Sequence, residues 1–479
     1  MTSIEAAMVR ASAGASHAER RDPDRLLPVD PSTRAIARAL YDRVATAPIV
    51  SPHGHVPAEW LAHDVPFADP TALLVTHDHY VTRLLHASGV DLAELGVGGA
   101  AVDPREAWRR FAAHWHTFAG TATGYWIDEE LRTVLDVDLP LTAASADAVY
   151  DSIQSRIDTP GFRPRALFER FGIEVLATTD DPLDDLSLHD KIAASGLPGR
   201  VLPTFRPDRY LDPDSATFGG DVQRLLASEG EATTFSGYLR ALEARRAHFI
   251  RHGATSADHG VEDPTTVDMT EDEAGELFRA VVSGRANGRG RRAFRAHMLL
   301  QMARMSVEDG LVMTLHAGVV RNHSTATFQR FGADTGHDFP RRTDFVRGLR
   351  PLLERFGLEK AFHLVLFAVD ESVYSREIAP MASFYPSVYI GAPWWFLDAP
   401  DAMARFRSAT TETAGFSRGS GFIDDTRAFL SIPARHDTAR RADASFLARL
   451  VREGRLTEDA AGVILADIVG PQPKRVFKL

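Results

Sequence analysis

Eight short apolar runs, separated by stretches of helical periodicity, limit what this chain can fold into more than any other feature. They read APIVSPHGH at 47–55, IEVLATTDD at 173–181, RVLPTFRPD at 200–208, HGATSADHG at 252–260, GLVMTLHAG at 310–318, HLVLFAVD at 363–370, SVYIGAPWWF at 387–396 and GSGFIDDTR at 419–427. Runs that are apolar throughout, rather than at alternate positions, suit strands buried on both faces, as in parallel sheets. Amphipathic stretches between them, such as AFRAHMLLQMARMSVED and RTDFVRGLRPLLERFG, supply the crossover helices. Eight such units predict an α/β chain folded as a (β/α)8 TIM-type barrel. The fourth run is the least regular of the set.

The interval between the first two runs breaks the pattern. Residues 56–170 are far too many for one crossover, and they carry helical patterns such as PTALLVTHDHYVTRLLHASGV and DPREAWRRFAAHWHTF. An inserted helical subdomain is expected there. That leaves 27–55 and 171–479 to the barrel and 1–26 as a flexible N-terminal tail. A second helical insertion is expected over 210–250.

Composition matters here mainly for what it excludes. The balance of 54 Lys and Arg against 65 Asp and Glu, a net −11, gives no electrostatic footprint for nucleic acid. The longest apolar runs are too short to span a bilayer, and the N-terminal segment lacks the apolar region of a signal peptide. Neither nucleic acid nor membrane is an expected partner. Cysteine is absent, which removes disulfides, thiolate nucleophiles and Cys-type zinc sites and fits a cytoplasmic setting. Only Lys191, Lys360, Lys474 and Lys478 are lysines, so a Schiff base or a lysine carbamate would have to use one of these four.

In a barrel of this kind the chemistry gathers at the C-terminal strand ends. The first run ends in His53 and His55, two residues apart and so on one face of a strand. Such a pair can bind one metal ion, or it can be two turn histidines beside Pro52 and Pro57. The eighth run ends in FIDDTR, where Asp425 and Arg427 share a face and Asp424 points the other way. Asp425 could complete a His-His-Asp metal set, act as a base, or cap the following helix. His316 ends the fifth run, with Arg321 close behind, and Arg206 ends the third. A buried histidine satisfied by backbone and arginines in surface ion pairs are the plainer readings. Tyr80 could be a general acid, or simply a packed tyrosine with a wet hydroxyl. The gathering of His, Asp and Arg at so many strand ends favours an enzyme over a carbohydrate-binding barrel without turnover.

The blocks SPHGHVP, HDHY, ATTDDP, VLPTFRPD, LHAGVVRNH, GAPWWFLD and FIDDTRAFLSIPARHD resemble, in that order, those of the uronate isomerases, outlying members of the amidohydrolase superfamily. The resemblance runs from about Leu27 to Leu479. It implies interconversion of D-glucuronate with D-fructuronate, and of D-galacturonate with D-tagaturonate, through a cis-enediol. It also implies metal ligation by His53, His55 and Asp425, with Asp425, Tyr80, His53 and His316 in catalysis. Arg206, Arg321, Arg427 and Trp394 would bind substrate. One divalent metal, zinc, a small-molecule uronate as partner and a homo-oligomeric state are expected with it. His323 stands where an asparagine is common in that family. The rival is a mononuclear metal-dependent hydrolase of the amidohydrolase type. The common binuclear version needs a lysine on the fourth strand, and none occurs between Lys191 and Lys360.

Overall fold

A computed structural model describes residues 22–479; the expected tail over 1–26 lies, for residues 1–21, outside the described residues. Seven of the eight runs form strands: β1 Ile49–Ser51, β2 Ile173–Ala177, β3 Arg200–Leu202, β4 Ser256–Val261, β5 Val312–Ala317, β6 Leu364–Ala368 and β7 Val388–Ile390. All adjacent pairs are parallel, in the order β1-β2-β3 and β4-β5-β6-β7. Phe205 joins the two sheets, bridging Asp180 on one side and Ala257 on the other. β5 and β6 are buried at every position, as the continuous apolar runs predicted.

The fourth and eighth runs differ from expectation. The fourth strand begins at Ser256, four residues into its run, because the weakly patterned start of HGATSADHG forms the turn after a helix. The eighth run makes a single parallel bridge, Ile390 to Gly419, and no ladder. Gly421 explains the loss. Its φ is +78°, and a Cβ there would approach Pro473 to 2.8 Å, so the pleat cannot continue past it. The ring of strands still meets its first member, because the His55 N–H donates to the Thr426 carbonyl at 2.9 Å. The fold is α/β of the TIM-barrel type. A two-residue antiparallel ribbon, 319–320 with 339–340, stands outside the parallel order.

Between β1 and β2 every regular element is helical. The helix Pro104–Ala113 shows how the sequence starts one. Asp103 accepts from the Arg105 N–H, and Pro occupies the first turn, where no N–H is needed. Its inner face carries Trp108 and Phe111, both fully buried, and the Trp108 indole N–H donates to the Ala146 carbonyl at 2.9 Å. Truncating Trp108 to Ala would cost about 3–5 kcal/mol. The same apolar cluster takes in Ile49 of β1 and Ile173 and Leu176 of β2, so these helices and the strands share one core. Near the chain start, Arg25 is tied by Nη2 to Glu129 (3.0 Å) and Asp437 (2.9 Å). Over 208–251 the chain is largely helical: Asp208–Leu211, Phe218–Ser228 and Phe235–Arg251.

Candidate active site

A cavity of about 870 Å³ opens at the C-terminal ends of the strands. His53, His55, Tyr80, Arg206, His316, Arg321, Trp394, Asp425 and Arg427, all singled out from the sequence, line it.

β1 ends at Ser51, so the strand pleat does not aim the two histidines. The bend after it does, held by the His55 N–H bond to Thr426 and by the Thr179 hydroxyl on the Gly54 carbonyl (2.8 Å). The rings stand edge to face, 5.2 Å apart. Asp425 Oδ1 lies 2.9 Å from His55 Nε2 and 3.3 Å from His53 Nε2.

Asp425 sits in the left-handed region, φ +42°, a conformation that costs a non-glycine residue about 1–3 kcal/mol unless its surroundings enforce it. Its neighbour enforces it. Asp424 points away from the cavity, accepts from His436 Nε2 at 3.0 Å and from the Thr426 N–H at 3.4 Å, and Arg435 Nη1 reaches its carbonyl at 3.5 Å. Of the adjacent aspartates, Asp424 therefore anchors the turn and Asp425 faces the cavity.

His316 Nδ1 is 2.6 Å from Asp258 Oδ1. That bond fixes the proton on Nδ1 and leaves Nε2 toward Asp425 Oδ2, 3.9 Å away. The ring is clamped by Phe367 at 4.2 Å and Trp394 at 4.7 Å. Asp258, fully buried, also accepts from the Thr314 hydroxyl (2.6 Å) and pairs with Arg206 Nη1 (3.1 Å). Sequence reasoning missed it. Its run, SADHG, lacks the apolar and β-branched residues that mark a strand. The usable signal was register: Asp258 pairs with Thr314, and Gly260 with His316, on the adjoining β5.

Tyr80 is placed by another capping contact. Asp78 accepts from the Tyr80 N–H at 2.8 Å at the start of the helix His79–Ala87. Burial raises the Tyr80 hydroxyl well above its ordinary pKa, so it stays a donor.

The carboxylates at the mouth stay charged. Burial pushes Asp425 up, but His53 and His55 outweigh it and hold it well below the usual range; His316, His53 and Arg206 do the same for Asp258. Burial opposes a proton on His53, yet Asp258 and Asp425 raise its pKa, whereas burial lowers that of His55. The site thus attracts positive charge.

Its donor set also suits a divalent metal. His53, His55 and Asp425 each offer a ligand atom within 4.8 Å of the others, as do His53, Asp258 and His316. His53 Nε2, His316 Nε2, Asp258 Oδ2 and Asp425 Oδ1 are buried without a hydrogen-bond partner among the described residues. Converging nitrogen and carboxylate donors with spare lone pairs fit such an ion.

The arginines differ in how fully they are neutralised. Arg206 is held by Asp208 (2.9 Å) as well as Asp258. Arg321 pairs with the buried Asp338 (3.0 Å) and lies over the Trp395 ring at 4.9 Å. Among the described residues Arg427 is ion-paired only with the half-exposed Asp334, at 3.3 Å. Among the described residues no helix is long and apolar enough to cross a membrane.

The family model described as glucuronate isomerase matches residues 32–477. The uronate isomerase of Corynebacterium efficiens is 52% identical over 469 residues, spanning 97% of this chain and 99% of that protein. The crystal structure of glucuronate isomerase from Caulobacter crescentus superimposes with a TM-score of 0.94 at 44% identity, over 95% of this chain and 96% of that one. A uronate isomerase structure from Thermotoga maritima gives a TM-score of 0.90 at 27% identity, over 95% and 99%. These relatives favour an isomerase over the hydrolase that the sequence left open. The chain belongs to the glucuronate isomerase family.

Proposed function

We propose that this cavity interconverts D-glucuronate with D-fructuronate, and D-galacturonate with D-tagaturonate. The observation that supports the assignment of residues most is the convergence of His53, His55 and Asp425 on one buried point beside three arginines. His53, His55 and Asp425 would hold a divalent cation, zinc in this reading, which when bound polarises the substrate's carbonyl oxygen.

The chain's own groups account for the proton movements. Asp425 Oδ2, the oxygen not shared with the two histidines, takes the proton from C2 of the open-chain aldose. The C2–H electron pair becomes the C1=C2 bond, and the carbonyl pair moves onto O1. The Tyr80 hydroxyl faces the cavity as a neutral donor and supplies the O1 proton. The O2 proton passes to the Tyr80 oxygen that gave up its own, C2 becomes the carbonyl, and the C1=C2 electron pair takes the proton back from Asp425 at C1. His316, fixed by Asp258 through Nδ1, presents its Nε2 to these oxygens.

The C6 carboxylate fits Arg427 and Arg321, whose guanidinium groups offer bidentate contacts; Arg206 is already held by two aspartates. Trp394 gives the sugar an apolar wall. Incubation with D-glucuronate and D-galacturonate in D2O, followed by NMR, tests the reading. Ketose signals should grow with each metal-replete sample. If both sugars stay unchanged, the substrate assignment is wrong.

A further inference from the structure

The segment 332–338 reaches the cavity mouth from outside the barrel strands. It is fixed on both sides. The buried Asp338 accepts from the Asn322 N–H (2.6 Å) and from Arg321 Nη1 (3.0 Å). Gly336, φ +91°, lies so near the helix His79–Ala87 that a Cβ on it would come within 2.6 Å of the Arg83 Cβ. Between these anchors stands Asp334, φ +59°, a conformation that a non-glycine residue seldom holds without enforcement. Its carboxylate lines the cavity, accepts from Arg427 Nη2 at 3.3 Å, and has Arg321 Nη1 3.9 Å from its other oxygen. Partial burial would raise its pKa; Arg427 and Arg321 outweigh that and keep it charged.

A carboxylate is therefore already seated on the two guanidinium groups assigned above to the substrate's C6 carboxylate. We propose that Asp334 is a specificity-determining residue: it engages Arg427 and Arg321 as the substrate's carboxylate would, so a sugar docks fully only by bringing a carboxylate of its own to replace it. The proposal rests on the reading of Arg427 and Arg321 as the carboxylate anchor. A uronate exchanges ion for ion at little net cost. A neutral aldose that displaced Asp334 would leave Arg427 without that ion partner, whereas Arg321 keeps Asp338, a penalty that sorts ligands by charge.

Removing the internal competitor should tighten uronate binding. The test uses the full-length, metal-replete enzyme with Asp334→Asn and Asp334→Ala. It reads KM for D-glucuronate beside the inhibition constant of D-glucarate, a dicarboxylate with no aldehyde. Both values should fall about two- to fivefold, the scale of one partly exposed ion pair, with the change on KM rather than kcat. Unchanged or raised values in either variant overturn the proposal, since Asp334 would then be holding the arginines in place for the substrate. Arg427→Met tests the underlying reading separately. If its KM for D-glucuronate is unchanged, the anchor assignment fails and the proposal with it. A raised KM there, together with lowered values in the Asp334 variants, supports both.

Discussion

Two sets of buried carboxyl groups face opposite fates in this molecule. At the barrel mouth, Asp258 and Asp425 are held far below the ordinary carboxylate range. Around Arg435, against the ring of Tyr80, burial pushes Glu130 up to about 8 and Asp398 to about 7, and raises Asp78. Depth does not separate them, since Asp258 is 0% exposed and Glu130 only 3%. The basic groups facing them do. Asp258 meets His316, His53 and Arg206, and Asp425 meets His53 and His55. On the other side Arg435 alone serves Asp398, at 2.6 Å, while it also lies 3.7 Å from the Trp126 ring centroid and 5.3 Å from that of Tyr80. One cation among several acids leaves most of them to burial. The mouth keeps its carboxylates charged, whereas burial favours neutral acids in the cluster around Arg435.

Substitutions on the two sides should behave accordingly. The largest effect is expected at Asp425. Asp425→Asn keeps size and removes charge, so kcat should fall by about 10³-fold or more, the scale of a lost acid–base group. Circular dichroism should show the native fold, because Asp424 still anchors the turn. A variant retaining most of its turnover would break the contrast at its functional end.

Smaller effects should separate the arginines. Arg427→Met should raise KM for uronates by about tenfold or more, as expected for a lost charge-assisted contact. Arg206→Met should lower kcat as well, because it strips a cation from Asp258. Steady-state kinetics on both decide. Equal, KM-only effects would mean that Arg206 is an anchor of the same kind.

The weakest effect concerns stability. Glu130 titrates near 4.5 when solvated and near 8 in the fold, so the folded state prefers it protonated. Its contribution is whole below about pH 4.5 and is lost as pH rises toward about 8. Glu130→Gln cannot ionise. The melting temperature of the wild type, relative to that variant, should therefore fall between pH 5 and pH 8. A flat difference would place Glu130 among the charged carboxylates.

How much of this was legible in the sequence depends on where each residue's partner lies. His53, His55, His316 and Arg206 sit at the ends of apolar runs that announce themselves as strands, and Asp425 follows the two apolar residues of the eighth run. Asp258 sits in a run with no such pattern, although it is as central as any of them. The eighth run looked like a strand because Phe422 and Ile423 are apolar. Gly421, set against Pro473 from the far end of the chain, cancels the ladder. The division of labour between Asp424 and Asp425 was visible as opposite facing, but its cause, His436, lies on the next helix. Asp334 and Asp338 come from a connection with no period at all. Local patterns encode elements, whereas the charges that tune a site arrive from parts of the chain that only folding brings together.

The contrast itself can be observed directly in the infrared, through the carbonyl stretch of protonated carboxylic acids at pH 7. The wild-type spectrum should contain such a band, with a component that disappears in Glu130→Gln and persists in Asp425→Asn. Loss of the component in Asp425→Asn and its survival in Glu130→Gln would contradict the account, since the neutral acid would then be at the barrel mouth.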